Sequence, residues 1–195
     1  MPMGGCERAP ALDKIFEGAR MKKLITAVAV ATVSLAVLTG SMMMNADAPA
    51  IEWQPVAQAL VDAPKGGKLI VLDVYTDWCG WCKRMDRDTY ADSNVVSYIK
   101  AKYVASKMNP EKKGTLVYDG KEFSLGEFSA ALGIRGYPAT VFFNQKGEVL
   151  TMVAGYMKPD EFLKILRYFG EGAHEKGIKF EDFTYAGENG AAGEG

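Results

Sequence analysis

Leu69–Lys83, LIVLDVYTDWCGWCK, is the stretch that decides the fold. Its first half is an apolar run, rich in β-branched residues and broken by the charge of Asp73. Such a run predicts a buried central strand over about residues 68–76. From Gly80 onward the pattern changes to that of a helix. Cys79 is therefore expected at the point where a central strand ends and a helix begins.

Two cysteines, Cys79 and Cys82, mark the start of this predicted helix. The first N–H groups of a helix have no partner within it, so they favour a thiolate over a thiol at this position. Cys82 would lie one turn inside the helix, close enough to resolve a mixed disulfide formed by Cys79. We predict that Cys79 attacks and Cys82 resolves, with no cofactor beyond their own redox-active disulfide.

A CxxC pair also serves in metal binding and in haem attachment. A structural zinc ion needs two further sulfur or nitrogen ligands, and outside the leader the sequence offers only His174, far along the chain. Haem attachment needs CxxCH, but Lys83 follows Cys82. We therefore predict redox chemistry and no metal site. A metal chaperone and a non-catalytic binding or chaperone module remain open alternatives.

The chain resembles the thioredoxin-like family over roughly residues 68–169. The resemblance rests on four features: Trp78-Cys79-Gly80-Trp81-Cys82-Lys83, Asp73 six positions before the first cysteine, Lys107-Met108-Asn109, and Gly136-Tyr137-Pro138-Ala139-Thr140. It implies an α/β protein with the thioredoxin fold, a central mixed β-sheet flanked by helices. The Gly-Trp dipeptide is closer to the periplasmic branch that includes DsbD-like C-terminal domains than to the Gly-Pro of the best-known thioredoxins.

Asp73 is a carboxylate within an otherwise apolar strand, and burial there raises the pKa of a carboxyl group. The resemblance implies that it accepts the proton of Cys82 as that thiol resolves the intermediate. The alternative is a strand-end aspartate that reaches solvent or caps a backbone group. Lys107 matches the family's buried lysine partner of this carboxylate, although an ordinary exposed lysine fits the sequence as well.

The resemblance also implies a substrate-binding loop. It predicts a cis peptide bond before Pro138, with backbone groups of Gly136 and Tyr137 pairing with an extended substrate segment. Three residues around the nucleophile complete the predicted substrate-binding set: Trp78, Gly80 and Trp81. The two tryptophans are expected to form an exposed apolar docking surface.

Length, charge and cysteine count set further limits. The 195 residues, 48% hydrophobic and 24% charged, suit one soluble domain with appendages. The net charge of −1 and the lack of a basic run in the body of the chain argue against nucleic-acid binding. Of three cysteines, Cys6 lies in the leader, and the near-adjacent Cys79 and Cys82 cannot staple a fold. We expect a monomer.

The leader predicts export. After Met21 and two lysines, an uncharged apolar run extends to Leu38, and two A-x-A cleavage patterns follow before residue 51. This is the layout of a secretory signal peptide, assigned to residues 21–50. The run is short for a membrane span of about 20 residues, but an uncleaved anchor remains open. Residues 1–20 carry acidic side chains, which favours a non-native or mis-assigned leader over a long n-region.

The remaining elements complete a thioredoxin-like domain over residues 51–185. Before the central strand we predict a helix over 52–61, ended by Pro64-Lys65-Gly66-Gly67. After the cysteine helix we predict a helix capped by Asp92, a strand over 103–108, a hairpin from Thr115–Tyr118 through Asp119-Gly120, and a helix from the Ser124 capping box to Leu132. The last elements are a hairpin of strands 139–143 and 149–154, a helix over 160–169 opened by Pro159, and a small extension over 176–185. Residues 186–195 are Gly-rich and predicted to be disordered.

Together these features predict an exported, periplasmic thiol–disulfide oxidoreductase. If the signal peptide is not cleaved, the protein would be anchored in the inner membrane. Reduction of protein disulfides is favoured, since Gly-Trp lacks the histidine that stabilises the thiolate in oxidising members of the family. The resemblance implies a membrane electron donor of the DsbD or CcdA type. The expected partners are protein disulfide substrates, and no nucleic acid.

Overall fold

A mixed five-stranded sheet forms the centre of the fold, with strand order β1-β3-β2-β6-β7. Its strands are β1 (Gln54–Pro55), β2 (Leu69–Val74), β3 (Tyr103–Met108), β6 (Ala139–Phe143) and β7 (Val149–Ala154). The first three are parallel to one another, whereas β6 and β7 run antiparallel to their neighbours. A separate hairpin joins β4 (Thr115–Tyr118) to β5 (Lys121–Ser124). This computed structural model describes residues 50–186.

Helices cover both faces of the sheet. They are α1 (Val56–Gly66), α2 (Gly80–Asp88), α3 (Ser93–Lys102), α4 (Leu125–Ala131) and α5 (Pro159–Gly170), followed by a 3-10 turn at Phe180–Asp182. Alternate residues of β2 enter two different cores, because successive side chains of a strand point to opposite faces. Leu69 and Val71 pack with α2, α3 and α5, whereas Ile70, Leu72 and Val74 pack with α1 and α4. The predicted thioredoxin fold is confirmed.

The first helix differs from the prediction. A helix over Glu52–Val61 ended by Pro64 is expected from the sequence, but α1 covers Val56–Gly66 with Pro64 inside it. Gln54–Pro55 instead pairs with β3 as the short edge strand β1. A proline lacks the N–H for one helix hydrogen bond and crowds the carbonyl four residues before it, but α1 continues for two residues past Pro64. It stops at Gly67, whose φ of 61° is left-handed.

Most other local predictions are confirmed. Asp92 caps α3, and Ser124 forms a capping box with Glu127 at the start of α4. The hairpin turn has positive φ at both Asp119 and Gly120. The central strand is shorter than predicted, ending at Val74.

The predicted extension over residues 176–185 contributes only the 3-10 turn. His174, the one further nitrogen ligand considered for a zinc site, is half-buried and packs its ring 5.1 Å from that of Phe169. Within residues 50–186, no helix combines the length and apolar character needed to cross a membrane. The predicted leader (1–20), all but the last residue of the signal peptide (21–50) and all but the first residue of the predicted disordered tail (186–195) lie outside the described residues, so the domain limits stay predictions.

Candidate active site

Cys79 lies between the end of β2 and the start of α2, as the sequence predicts. It is the N-cap of α2, and the backbone N–H of Cys82 donates to its Sγ at 3.0 Å. The two cysteines form a disulfide. Both are nearly buried, with 4% of Cys79 and 3% of Cys82 exposed, while Gly80 between them is exposed. A sulfur that accepts a hydrogen bond from the first turn of a helix is favoured as a thiolate once the disulfide is reduced.

Asp73 is a buried carboxyl group in the middle layer of the protein. It is 2% exposed, and its Oδ2 lies 3.3 Å from Nζ of Lys107, its neighbour across the β2–β3 pairing. Its Oδ1 is buried without a hydrogen-bond partner among the described residues. Burial raises the pKa of Asp73 to about 6. The positive charge of Lys107 lowers this pKa and the negative charge of Asp86 raises it, but both effects are smaller than that of burial. The carboxyl group can therefore hold or release a proton near neutral pH.

Lys107 links this carboxyl group to the helix that carries the cysteines. Its ammonium group also forms an ion pair with Asp86, which lies on α2. Asp86 follows Cys82 by four residues, and side chains four apart share one face of a helix. Asp73 and Lys107 therefore lie against the face of α2 that carries Cys82. The rings of Trp53, Tyr75 and Tyr90 surround the ammonium group, with centroids 4.8, 5.2 and 5.6 Å away.

The Pro138 loop lies beside the segment that precedes the nucleophile. The Tyr137–Pro138 peptide bond is cis, and the carbonyl of Pro138 accepts a hydrogen bond from the N–H of Gly155 at 2.8 Å. The ring of Tyr137 makes an edge contact with that of Trp78, with centroids 6.0 Å apart. Gly136, which precedes Tyr137, is exposed.

Trp78 is 67% exposed, and a second loop holds it in place. Its indole N–H donates to the carboxylate of Glu111 at 3.0 and 3.2 Å. The preceding Asp77 accepts from Nδ2 of Asn109 at 3.2 Å and pairs with Lys112 at 2.5 Å. The hydrogen bond with Lys112 is the main reason that the pKa of Asp77 is lowered. The loop after β3 thus fixes the loop before Cys79.

Trp81, between the two cysteines, is 55% exposed. Its ring lies 5.6 Å from that of Tyr156, and the guanidinium of Arg84 lies 5.2 Å from the centroid of each. Arg84 in turn donates to Asp88 at 3.1 Å.

The structure brings Asp73 and Lys107 against the helix that carries Cys82, and it brings Tyr137 into contact with Trp78, the residue before Cys79. Sequence reasoning missed Asp86, Glu111, Arg84 and Tyr156. Of these, the helical spacing from Cys82 was a usable signal for Asp86. Among residues 50–186, no group of three or more His, Cys, Asp or Glu side chains is arranged to hold a metal ion.

Comparison with known proteins identifies relatives of this chain. A family described as "Thioredoxin-like domain" matches residues 56–170. The chain is 30% identical over 127 residues to the thiol:disulfide interchange protein DsbD of Yersinia pestis, covering 60% of this chain and 19% of that protein. It is 32% identical over 119 residues to the DsbD of Ralstonia nicotianae, covering 57% and 17%. The match therefore spans only about a fifth of these relatives' length.

Solved structures show the same fold. A thioredoxin-fold protein from Helicobacter pylori superposes with a TM-score of 0.54 at 22% identity, covering 60% of this chain and 78% of that one. At this level of identity the likeness concerns the fold alone.

Proposed function

The chain belongs to the thioredoxin-like family, and from that premise we propose that it is an exported thiol–disulfide oxidoreductase that reduces protein disulfides. The observation that carries the proposal is the position of Cys79 as the N-cap of α2, bonded to Cys82 and hydrogen-bonded through its sulfur to the N–H of Cys82. The relatives named as thiol:disulfide interchange proteins support the same chemistry.

The reaction balances in two exchanges. In the reduced protein, the Cys79 thiolate attacks one sulfur of a substrate disulfide, and the other substrate sulfur leaves as a thiolate that takes up a proton. The thiolate of Cys82 then attacks the sulfur of Cys79 in the mixed disulfide. This forms the Cys79–Cys82 disulfide and releases the second substrate sulfur as a thiol. Two electrons pass from protein to substrate. A dithiol donor restores the reduced pair, and we assign that task to a membrane electron donor of the DsbD or CcdA type.

Asp73 is proposed to take the proton of Cys82 in the second exchange. A general base works best when its pKa is close to the working pH, and the pKa of about 6 meets that condition. Lys107 would hold this carboxylate in place through their 3.3 Å ion pair. The exposed rings of Trp78 and Trp81 and the Gly136–Pro138 loop are proposed to receive the substrate segment around its disulfide.

The direction of electron flow is tested by the reduction potential of the Cys79–Cys82 pair. We expect a value near that of thioredoxin, about −270 mV, because the Gly-Trp dipeptide lacks a thiolate-stabilising histidine. Equilibration with glutathione or dithiothreitol redox buffers, read by alkylation and mass, gives the potential. A value near that of the oxidant DsbA, about −120 mV, would contradict a reductase and favour an oxidase.

Export is tested by the mature N-terminus. If Met21 begins a cleaved signal peptide, the periplasmic form should begin between about Pro49 and Glu52, because the two A-x-A patterns end at Ala48 and Ala50. Intact mass spectrometry of the periplasmic fraction measures this directly. A species that keeps residues 24–38 and sediments with membranes would show an anchored protein instead, and one found only in the cytoplasm would refute export.

The exposed aromatic residues also favour a second candidate function, a binding or chaperone module that does not turn over. Trp78 and Trp81 present large apolar rings to solvent. Binding through these rings would not require the cysteines to react. Insulin reduction by the wild-type protein, measured against Cys79→Ser, separates the two. Equal rates would favour the binding module.

A further inference from the structure

The outer face of α2 carries more positive charge than its ion pairs neutralise. Lys83, Arg84 and Arg87 are all exposed along this helix. Asp88 accepts from Nε of Arg84 and from Nε of Arg87, each at 3.1 Å. The three cations and two carboxylates of the helix give it a net charge of +1, although the whole chain carries −1. The other acidic residue of the helix, Asp86, is paired with Lys107 beneath it.

This positive face begins at the cysteines. Lys83 directly follows Cys82, and Arg87 lies one turn further along the same side of the helix. The pKa of Asp77, two residues before Cys79, is lowered chiefly by its hydrogen bond with Lys112 and in smaller part by the charge of Lys83. The field of Lys83 therefore reaches the loop in front of the nucleophile, where a substrate must approach.

The two exposed tryptophans beside the cysteines have neighbours of opposite charge. On the α2 side, the guanidinium of Arg84 lies over the rings of Trp81 and Tyr156. On the other side, the indole of Trp78 is hydrogen-bonded to the carboxylate of Glu111. A segment bound across both rings would meet a cation beside Trp81 and an anion beside Trp78. Substrates that differ in the charge flanking their cysteine would therefore meet different neighbours.

We propose that the site prefers protein disulfides in which an acidic side chain flanks the reactive cysteine, held by Lys83, Arg84 and Arg87 while Trp81 and Tyr156 pack on neighbouring apolar atoms. This inference rests on the proposed function and names its substrate class. Clustered charge of one sign raises the association rate of an oppositely charged partner by 10- to 10³-fold, roughly, at low ionic strength.

The test compares three cyclic peptide disulfides that differ only in the residues flanking one cysteine: aspartate, serine or lysine. The fully reduced protein is mixed with each peptide in a single turnover, followed by mass after acid quench. We expect the aspartate peptide to react at least about tenfold faster than the lysine peptide at low salt. The preference should fade as salt approaches roughly 1 M, where screening acts over about 3 Å.

The double variant Lys83→Glu/Arg87→Glu should reverse this order of preference. The ratio of the two rates is the readout, because a change in the reactivity of Cys79 itself cancels between peptides. Lys102→Glu/Lys146→Glu is the matched control with the same change of charge. Lys102 precedes β3 and Lys146 lies in the β6–β7 turn, at the end of the sheet opposite the cysteines, and both are exposed. The control should keep the wild-type preference.

Several outcomes would overturn the inference. Equal wild-type rates for the three peptides, a preference for the lysine peptide, or an unchanged ratio in Lys83→Glu/Arg87→Glu would each do so while leaving the proposed function intact. A reversal in the control as well would assign the preference to the overall charge of the protein. If the wild type reduces neither the peptides nor insulin, the proposed function itself is wrong.

Discussion

Replacing Cys82 by serine is expected to convert the protein from a catalyst into a trap that keeps its substrate bound to Cys79 through a disulfide. The first exchange needs only Cys79, but release of the substrate needs the attack of Cys82 on the mixed disulfide. Insulin reduction should fall to the uncatalysed background. Non-reducing gels and intact mass should show a covalent adduct that dithiothreitol dissolves.

Cys79→Ser is the matched control, since it removes the other sulfur with a substitution of the same shape. It should lose insulin reduction equally but form no adduct, because serine cannot attack a disulfide. An adduct with Cys79→Ser and none with Cys82→Ser would reverse the assignment of the two sulfurs. Wild-type activity in Cys79→Ser would show that the reduction does not depend on this pair.

The wild-type protein is expected to lose folding stability as the pH rises and Asp73 ionises, and Asp73→Asn is expected to remove this loss. Burial raises the pKa of this carboxyl group to about 6, from about 3.9 in an unfolded chain. The folded state therefore binds the proton more tightly, so the wild-type stability is fully present below pH 4 and is lost as the pH rises through 6. The shift of about 2 pKa units corresponds to roughly 3 kcal/mol at pH 7.

The quantity to measure is the difference in unfolding free energy between Asp73→Asn and wild type, by denaturant titration of the oxidised proteins from pH 4 to pH 8. It should rise by roughly 3 kcal/mol over this range and level off above pH 7. Its absolute value is smaller, because an amide leaves a buried N–H group without a partner at a cost of about 1–3 kcal/mol. The control is Asp62→Asn on α1, which removes a carboxylate that is 39% exposed. Its difference in unfolding free energy from wild type should not rise in this way. A flat difference for Asp73→Asn would mean that burial does not raise its pKa.

The same substitution should slow the second exchange. Without a carboxylate to accept the proton of Cys82, decay of a preformed mixed disulfide should be roughly 10²-fold slower or more at pH 7, the usual effect of losing a general base. In the wild type this rate should rise with pH through about 6, and Asp73→Asn should lack that rise. Wild-type rates in the variant would make Asp73 a structural residue only.

The fold and the cysteine pair were predictable because their signals are local. The apolar run of β2, the CxxC spacing and the caps at Asp92 and Ser124 each lie within a few consecutive residues. The first helix was less predictable, because a proline such as Pro64 usually ends a helix and here does not. A proline near a helix end breaks one hydrogen bond, and pairing of Gln54–Pro55 with β3 moved the helix start.

The sequence by itself determined which residues could react: a strand–cysteine–helix junction and a carboxylate in an apolar strand. Only the tertiary structure decided what surrounds them. The register of β2 against β3 sets Lys107 beside Asp73, and the packing of α2 on the sheet brings Asp86 to the same ammonium group from 21 residues away. Trp78 meets Glu111 across 33 residues. Such contacts depend on how elements distant in the sequence pack together, and a local pattern of residue types does not encode that packing.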